Sequence, residues 1–583
     1  MKTFIKNILS TILGILSSII IFILLCIGIF SILNSEEKVT LKKHSVLKID
    51  LTNTSVVERT SENPFNNLRL SGEVAETIEL REILNNIEKA KNDENIEAIY
   101  INTSIVNAGL SQTEEIRNKL LEFKNTGKPI IAYSEIYSQL AYYLASVADN
   151  IYLNPEGMLE LKGLSAEVMF YKGLLEKLDI DMQIIRHGKF KSAVEPFSLS
   201  SMSSSNRAQM TRFLNSIANN IMDSIANQRN LSLSEINKHA NNLMLENAKS
   251  CIDLKYVDEL LYQDQVEDSL IKFSKAKKLN LISLKKYAKV KAEKKEISRK
   301  KIAIIYANGA IKSGKGDEES IGSETTSEAI RIAREDKNVH AIVFRINSGG
   351  GSALASDVIL REITLTKNKK KPIVVSMGDY AASGGYYIAC AADSIVANPT
   401  TLTGSIGVFG MIPNLQRFYK NKLGITIDTV NTNKFSDIGI NRPLTAIERA
   451  KIQKSVQNTY NTFITHVSKG RGMSKTAVDE VGQGRVWTGY DAKTIGLIDT
   501  YGGIEKAINI AAELAKLDEY RIISLPKKKD PFSEIAIKLG SKAKISNMIM
   551  EKIGVNSALI EPIENIIQDD NIQARIPFFI KLK

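Results

Sequence analysis

A serine in the second half of the chain stands among residues too small to cover it. Ser383 lies within residues 381–385 (AASGG), and a glycine-rich run, residues 347–352 (NSGGGS), follows a predicted strand upstream. A nucleophilic hydroxyl needs room for a carbonyl to approach and backbone N–H groups that point at the oxyanion, and glycines permit both. The same small residues are equally typical of a helix packed closely against a neighbour. A phosphate-binding loop is disfavoured, because the lysine and serine of that motif are absent.

A serine nucleophile requires a base, and the two histidines of the second half, His340 and His466, lie in no motif that marks them. In the first half, Lys191 lies within residues 187–197 (HGKFKSAVEPF), a predicted strand-to-loop segment. Most lysines are solvated, so composition alone gives Lys191 little support. His187 lies four residues earlier.

The elements that must position these residues alternate between short β-branched runs and longer helical patterns. Predicted strands lie at residues 46–51, 96–101 and 129–133, and again at 302–306, 340–346 and 372–376. This alternation is typical of an α/β fold.

The two halves match each other as a tandem duplication. Residues 142–145 (YYLA) fall on residues 386–389 (YYIA). In this alignment Gln139 stands where the second half has Ser383, and Ser436 stands where the first half has Lys191. Each half therefore keeps one of the two reactive side chains.

The composition excludes several classes of protein. With 43% hydrophobic and 24% charged side chains, the chain is neither a disordered tail protein, a collagen-like fibre nor a polytopic membrane protein. The net charge of +12 does not indicate nucleic-acid binding, because the basic residues concentrate in linker-like stretches without interleaved aromatics. Three cysteines exclude a disulfide framework, and five histidines without ligand spacing make a metal site improbable.

Residues 8–33 contain no charged side chain, and as a helix they exceed the hydrocarbon core of about 30 Å. A secretory signal peptide would have a shorter apolar region and a small-x-small cleavage site, so an uncleaved anchor is favoured. The short N-terminal flank and the long following domain predict a single-pass protein of the cytoplasmic membrane, with its bulk on the outer, periplasmic side.

Four stretches resemble the SppA family of signal peptide peptidases, membrane-bound serine proteases, in its long tandem-domain form. They are residues 376–387 (SMGDYAASGGYY), 398–407 (NPTTLTGSIG), 191–197 (KSAVEPF) and 484–489 (GRVWTG). The resemblance implies a tandem repeat of two ClpP/crotonase-like domains after the N-terminal transmembrane helix. One departure is Gly349, where the family usually has proline.

The resemblance also implies the roles of individual residues. Ser383 would be the nucleophile and Lys191 the general base, with His187 as the rival base. As a base Lys191 must be neutral, and burial in an apolar pocket can lower its pKa from about 10.4. The N–H groups of Gly384 and Gly350 would form the oxyanion hole, with Gly351 not excluded, and Ser405 would orient the lysine. No metal, nucleotide or other cofactor is required.

The substrates implied by the family are apolar signal peptides left in the membrane after cleavage of exported proteins, and the implied assembly is a homotetramer. Two alternatives stay open: an acyl-CoA enzyme of the crotonase type, which needs neither Ser383 nor Lys191, and an inactive membrane scaffold that binds peptides. The predicted organisation is an N-terminus and anchor (1–34), a first repeat (45–280), a basic linker (281–300), a second repeat (301–525) and a tail of unknown role (526–583).

Overall fold

The computed structural model describes residues 10, 11, 13–15, 17, 18, 21, 39–60, 76–290, 298–528 and 572–575. Most of the predicted anchor therefore lies outside the described residues, as do residues 291–297 of the linker and most of the tail. Within the described ranges, no helix is both long and apolar enough to cross a bilayer.

The first half alternates strands and helices. Its strands are β1 Ser45–Ile49, β2 Thr54–Val57, β3 Glu76–Glu79, β4 Ile96–Ile101, β5 Ile130–Tyr137, β6 Asn150–Leu159, β7 Asp181–His187, β8 Glu259–Leu260 and β9 Leu281–Ser283. Its helices are α1 Leu80–Asn92, α2 Leu110–Lys124, α3 Gln139–Ala145, α4 Lys172–Lys177, α5 Glu195–Ser198, α6 Ser204–Arg229, α7 Leu233–Asn241, α8 Ala248–Asp253, α9 Gln263–Ser274 and α10 Leu284–Ala288, with a 3₁₀ turn at Ser192–Val194.

Six of these strands form one parallel sheet in the order β8-β6-β5-β4-β1-β9. Strand β4 has five of its six residues buried, because the chain covers both faces of the sheet. Helix α1 buries Leu80, Ile83, Leu84 and Ile87 along one face, the spacing of an amphipathic helix packed on a sheet.

The second half repeats this design. Its strands are β10 Lys301–Asn308, β11 Ala310–Lys312, β12 Ser320–Gly322, β13 Val339–Ser348, β14 Gly350–Ser352, β15 Ile373–Ala382, β16 Ser394–Ala397, β17 Leu402–Gly404, β18 Val408–Asn414, β19 Val486–Thr488, β20 Thr500–Tyr501, β21 Arg521–Leu525 and β22 Ile572–Arg575. Its helices are α11 Ser323–Glu335, α12 Ala353–Asn368, α13 Gly384–Ala389, α14 Gln416–Leu423, α15 Ala446–Arg471, α16 Lys475–Val481, α17 Gly489–Thr494 and α18 Ile504–Leu514.

The sheet of the second half has the order β19-β17-β15-β13-β10-β21, with β16 beside β15 and β20 beside β16. Its pairs are parallel except for β17 and β19. Two mainly parallel sheets with intervening helices confirm the predicted α/β class.

A third sheet joins the halves, in the order β12-β11-β14-β22-β18-β7. Strand β7 of the first half pairs antiparallel with β18 of the second half, from the pair Asp181 and Asn414 to the pair His187 and Val408. Because the chain leaves β7 at His187, this pairing delivers the following residues, Lys191 among them, to the second half.

The two halves also share a core. One apolar cluster contains Ile116 of α2 together with Ile504 and Ile508 of α18. Burial of such a continuous apolar surface fixes the halves against each other.

Candidate active site

Ser383 occupies a sharp turn between strand β15 and helix α13, with φ 58° and ψ −113°. A positive φ is uncommon for a residue other than glycine and persists only where the surroundings hold it. Two backbone hydrogen bonds do so: the N–H of Ser383 donates to the Gly404 carbonyl, and the N–H of Tyr387 donates to the Ser383 carbonyl, both at 2.8 Å. The side chain of Ser383 is fully buried.

The amine of Lys191 lies beside this serine. Its Nζ is 2.7 Å from the Oγ of Ser383, 3.1 Å from the Oγ of Ser405 and 3.3 Å from the Ser405 carbonyl oxygen. The hydroxyl of Ser405 donates in turn to the Gly484 carbonyl at 3.4 Å. A neutral amine can donate its two N–H bonds to Ser405, which leaves the nitrogen lone pair directed at the Ser383 hydroxyl.

Burial sets the charge of this amine. Lys191 is fully buried, and loss of hydration of the ammonium form lowers its pKa well below the ordinary value of 10.5. The geometry and the lowered pKa together suit transfer of a proton from the Ser383 hydroxyl to Lys191.

Two glycines let the second half pack directly on Lys191. A methyl group on Gly484, where φ is +78°, would lie 2.6 Å from both the backbone nitrogen and the Cβ of Lys191. A methyl group on Gly407 would lie 3.3 Å from the Cδ of Lys191. Larger residues at either position would displace the amine or open its pocket to water.

The glycines predicted to bind an oxyanion border Ser383. Gly384 follows it directly, and a methyl group on Gly350 would lie 2.7 Å from the Gly384 nitrogen. The N–H of Gly350 donates to the Oγ of Ser348 at 3.1 Å, so binding an oxyanion there would require exchange of that bond. A methyl group on Gly384 would lie 3.1 Å from the Gly351 nitrogen, which places Gly351 at the same corner.

His187 points away from this arrangement. Its ring packs on Tyr460 with the centroids 4.0 Å apart, its polar partner is Gln457, and burial lowers its pKa. Lys191, and not His187, contacts Ser383.

The corresponding position of the first half holds a structural glutamine. The side-chain oxygen of Gln139 accepts from the N–H groups of Lys162 and Gly163, and its amide donates to the Gly163 carbonyl. These bonds tie Gln139 to a neighbouring segment of backbone.

Sequence reasoning missed two features of the site. Gly484 lies in residues 484–489, a motif that carries the family resemblance, and a glycine in that motif was the available indication of close packing. The second feature is β22, a strand of the tail that lies against β14, and no residue pattern in the tail predicted it.

Among the residues that the structure describes, no three His, Cys, Asp or Glu side chains are grouped to hold a metal ion.

Sequence comparison relates the chain to known peptidases. The profile described as peptidase family S49 matches residues 122–277 and 366–518, one region in each half. The chain is 38% identical over 452 residues to Protease 4 of Salmonella typhi, across 76% of this chain and 73% of that protein. It is 35% identical over 518 residues to Protease 4 of Haemophilus influenzae, across 85% and 83% of the two chains.

A plant relative extends the comparison. The chain is 34% identical over 513 residues to the chloroplastic serine protease SPPA of Arabidopsis thaliana, across 86% of this chain and 74% of that protein. The chain belongs to peptidase family S49 and is a serine protease.

Proposed function

We propose that the chain is an endopeptidase in which Ser383 is the nucleophile and Lys191 is the general base. The observation that carries this proposal is the distance of 2.7 Å between the Lys191 Nζ and the Ser383 Oγ inside a fully buried pocket. Nucleophilic serines need an adjacent base, and a desolvated lysine can supply one.

The reaction follows from this pair. Ser383 Oγ attacks a peptide carbonyl as its proton passes to Lys191, and the resulting ammonium donates that proton to the leaving amine. Lys191 then removes a proton from water, which attacks the ester of Ser383 and releases the second product. Ser405 keeps the Lys191 amine directed at Ser383, because both its hydroxyl and its carbonyl oxygen accept hydrogen bonds from that amine.

The oxyanion is bound, in this proposal, by the N–H of Gly384 together with the Gly350–Gly351 segment. Backbone donors fixed in a buried site stabilise developing charge without reorganisation. The positive φ of Gly350, +101°, is a backbone conformation that a glycine adopts without strain.

The proposed substrates are apolar remnant signal peptides, bound as an added strand in the third sheet. The resemblance to signal peptide peptidases and the uncharged residues 8–33 support a membrane-held enzyme, single-pass in the cytoplasmic membrane with its bulk outside. The assembly proposed from the resemblance is a homotetramer. Two mainly parallel sheets with the same alternation of strands and helices support the ClpP/crotonase-like assignment of both repeats.

Hydrolysis of a synthetic signal peptide in detergent tests the proposal. Ser383→Ala and Lys191→Ala should each abolish turnover. Ser455→Ala and Lys189→Ala are the matched controls, since both residues are exposed, and they should retain wild-type rates. Full turnover by the Lys191→Ala variant would refute the assignment of the base. Wild-type protein that binds the peptide without cleaving it would favour the inactive scaffold.

A further inference from the structure

A buried glutamine on helix α6 lies beside the segment that carries Lys191. The side chain of Gln209 is buried, and its Nε2 donates to the Phe190 carbonyl at 3.0 Å. The same nitrogen lies 3.0 Å from the Oγ of Ser192. Because these are the residues before and after Lys191, one amide group holds the chain on both sides of the proposed base.

The oxygen of the same amide contacts the second half. Gln209 Oε1 accepts a hydrogen bond from the N–H of Val486, the first residue of β19, at 3.2 Å. The two residues before Val486 bind Ser405. Its hydroxyl donates to the Gly484 carbonyl at 3.4 Å, and its N–H donates to the Arg485 carbonyl at 2.7 Å. Gln209 thus connects the segment of the base to the segment that holds Ser405.

A chain of hydrogen bonds fixes the orientation of the Gln209 amide. The Glu195 carboxylate accepts hydrogen bonds from the Asn206 amide at 3.0 Å and from the Ser203 hydroxyl at 2.6 Å. Because Asn206 donates through its Nδ2, its oxygen is left to accept from Gln209 Nε2, at 3.1 Å. The Gln209 oxygen therefore faces Val486, whose backbone N–H is a donor.

We propose that Gln209 is a positioning residue for Lys191, which holds the backbone on both sides of the base against the second half. The inference rests on the proposed function, because Gln209 acts only through the base. A lysine has a flexible four-carbon stem, so the position of its amine depends on the backbone that carries it. Release of this segment would admit water to the pocket, and hydration favours the ammonium form.

Charged groups of both halves lie around this segment. The Arg186 guanidinium donates to the Lys191 carbonyl at 3.3 Å and lies 3.7 Å from the Glu195 carboxylate. The Arg485 guanidinium lies 4.9 Å from the ring centroid of the residue before Lys191. His187 lies at the start of the segment, with its ring packed on a tyrosine. A neutral substitution of the buried amide leaves all these groups in place and changes only the orientation and hydration of the amine.

The test is the pH dependence of kcat/KM on a synthetic signal peptide in detergent. Gln209→Leu removes every hydrogen bond of the amide at a similar side-chain volume. The midpoint of the rise should move upward by about one pH unit, because one pKa unit and one hydrogen bond are similar in free energy. Well below the midpoint, kcat/KM should then fall about tenfold.

A second variant covers the case in which Gln209→Leu fails to fold. Gln209→Glu keeps the shape of the side chain, but its carboxylate has no N–H for the Phe190 carbonyl. A buried negative charge also favours the ammonium form of Lys191, so the midpoint should rise at least as far. Gln228→Leu, the same change near the other end of α6, is the matched control and should keep the wild-type rate and midpoint. Circular dichroism shows which variants are folded.

The outcomes separate this inference from the proposed function. A folded Gln209 variant with the wild-type rate and midpoint would overturn the inference and leave the proposed function in place. A lower rate with an unmoved midpoint would also overturn it, because a merely structural role gives that result. Failure of the proposed function has a different sign, namely turnover by Lys191→Ala.

Discussion

The Nζ of Lys191 and the Oγ of Ser383 lie 2.7 Å apart, although the two residues are 192 positions apart in the chain and belong to different halves. Neither half contains both groups, so the pair exists only in the joined molecule. The pairing of β7 with β18 brings the two residues together. Strand β7 ends against the second half at His187, only four residues before Lys191.

Peptide hydrolysis should rise with pH as Lys191 loses its proton. Burial lowers the pKa of Lys191, so the midpoint of the rise should lie well below pH 10.5. A pH series of kcat/KM on a synthetic peptide measures it. His187→Ala should reduce the rate modestly and keep the midpoint. A midpoint at or below 6.5 that vanishes in His187→Ala would assign the titration to the histidine instead.

Ser405→Ala should lower kcat about tenfold, the effect of one lost hydrogen bond that orients the amine. The Ser405 hydroxyl accepts a hydrogen bond from Lys191 and thereby favours the ammonium form, so its loss should move the pH midpoint downward. A residue with only a structural role would leave that midpoint where it is. A wild-type rate and a wild-type pH midpoint in the Ser405→Ala variant would show that Ser405 does not orient the amine of Lys191. Ser455→Ala serves as the control.

Gly484→Ala should reduce activity about a hundredfold, because a small misplacement of a catalytic group has a cost of that order. The new Cβ would lie 2.6 Å from the backbone of Lys191, at a φ of +78° that strains alanine. Gly439→Ala is the matched control, since a methyl group there meets no atom within 4 Å among the described residues. Equal rates for the two variants would show that close packing at Gly484 does not position the lysine.

Arg345→Leu should lower the free energy of unfolding by about 3–5 kcal/mol, because it leaves buried carboxylates without their counter-charge. The Arg345 guanidinium is fully buried and lies 2.8 Å from Glu58 and from Glu115, both in the first half. Arg331→Leu removes an exposed guanidinium from a buried carboxylate, Glu362, that Arg334 still pairs, and it should cost no more than about 1 kcal/mol. Urea unfolding of both variants measures the difference, and equal losses would contradict the role of Arg345 in joining the halves.

Part of this site could be predicted from the sequence because it rests on local patterns. Glycine and alanine around Ser383 indicated a serine that a carbonyl and backbone N–H groups could approach, and the β-branched runs marked three strands of each main sheet. No strand was predicted for the glycine run, yet residues 350–352 form β14, because the neighbouring strands supply backbone partners that no local pattern encodes.

Other features depend on contacts between distant segments. Nothing near Lys191 in the sequence shows that it is buried, since the residues that bury it come from the other half. The same holds for strand β22 of the tail, whose position depends on pairing with β14 and β18. Such features become visible only when the chain is folded.

The most direct test of the Lys191–Ser383 pair is to map the adduct formed by a fluorophosphonate. Mass spectrometry of the wild-type protein should place a single adduct on Ser383, and Lys191→Met, which keeps a similar volume without the amine, should react at least a hundredfold more slowly. Lys189→Met should react at the wild-type rate. An adduct on another serine, or equally fast labelling of Ser383 in Lys191→Met, would contradict the account.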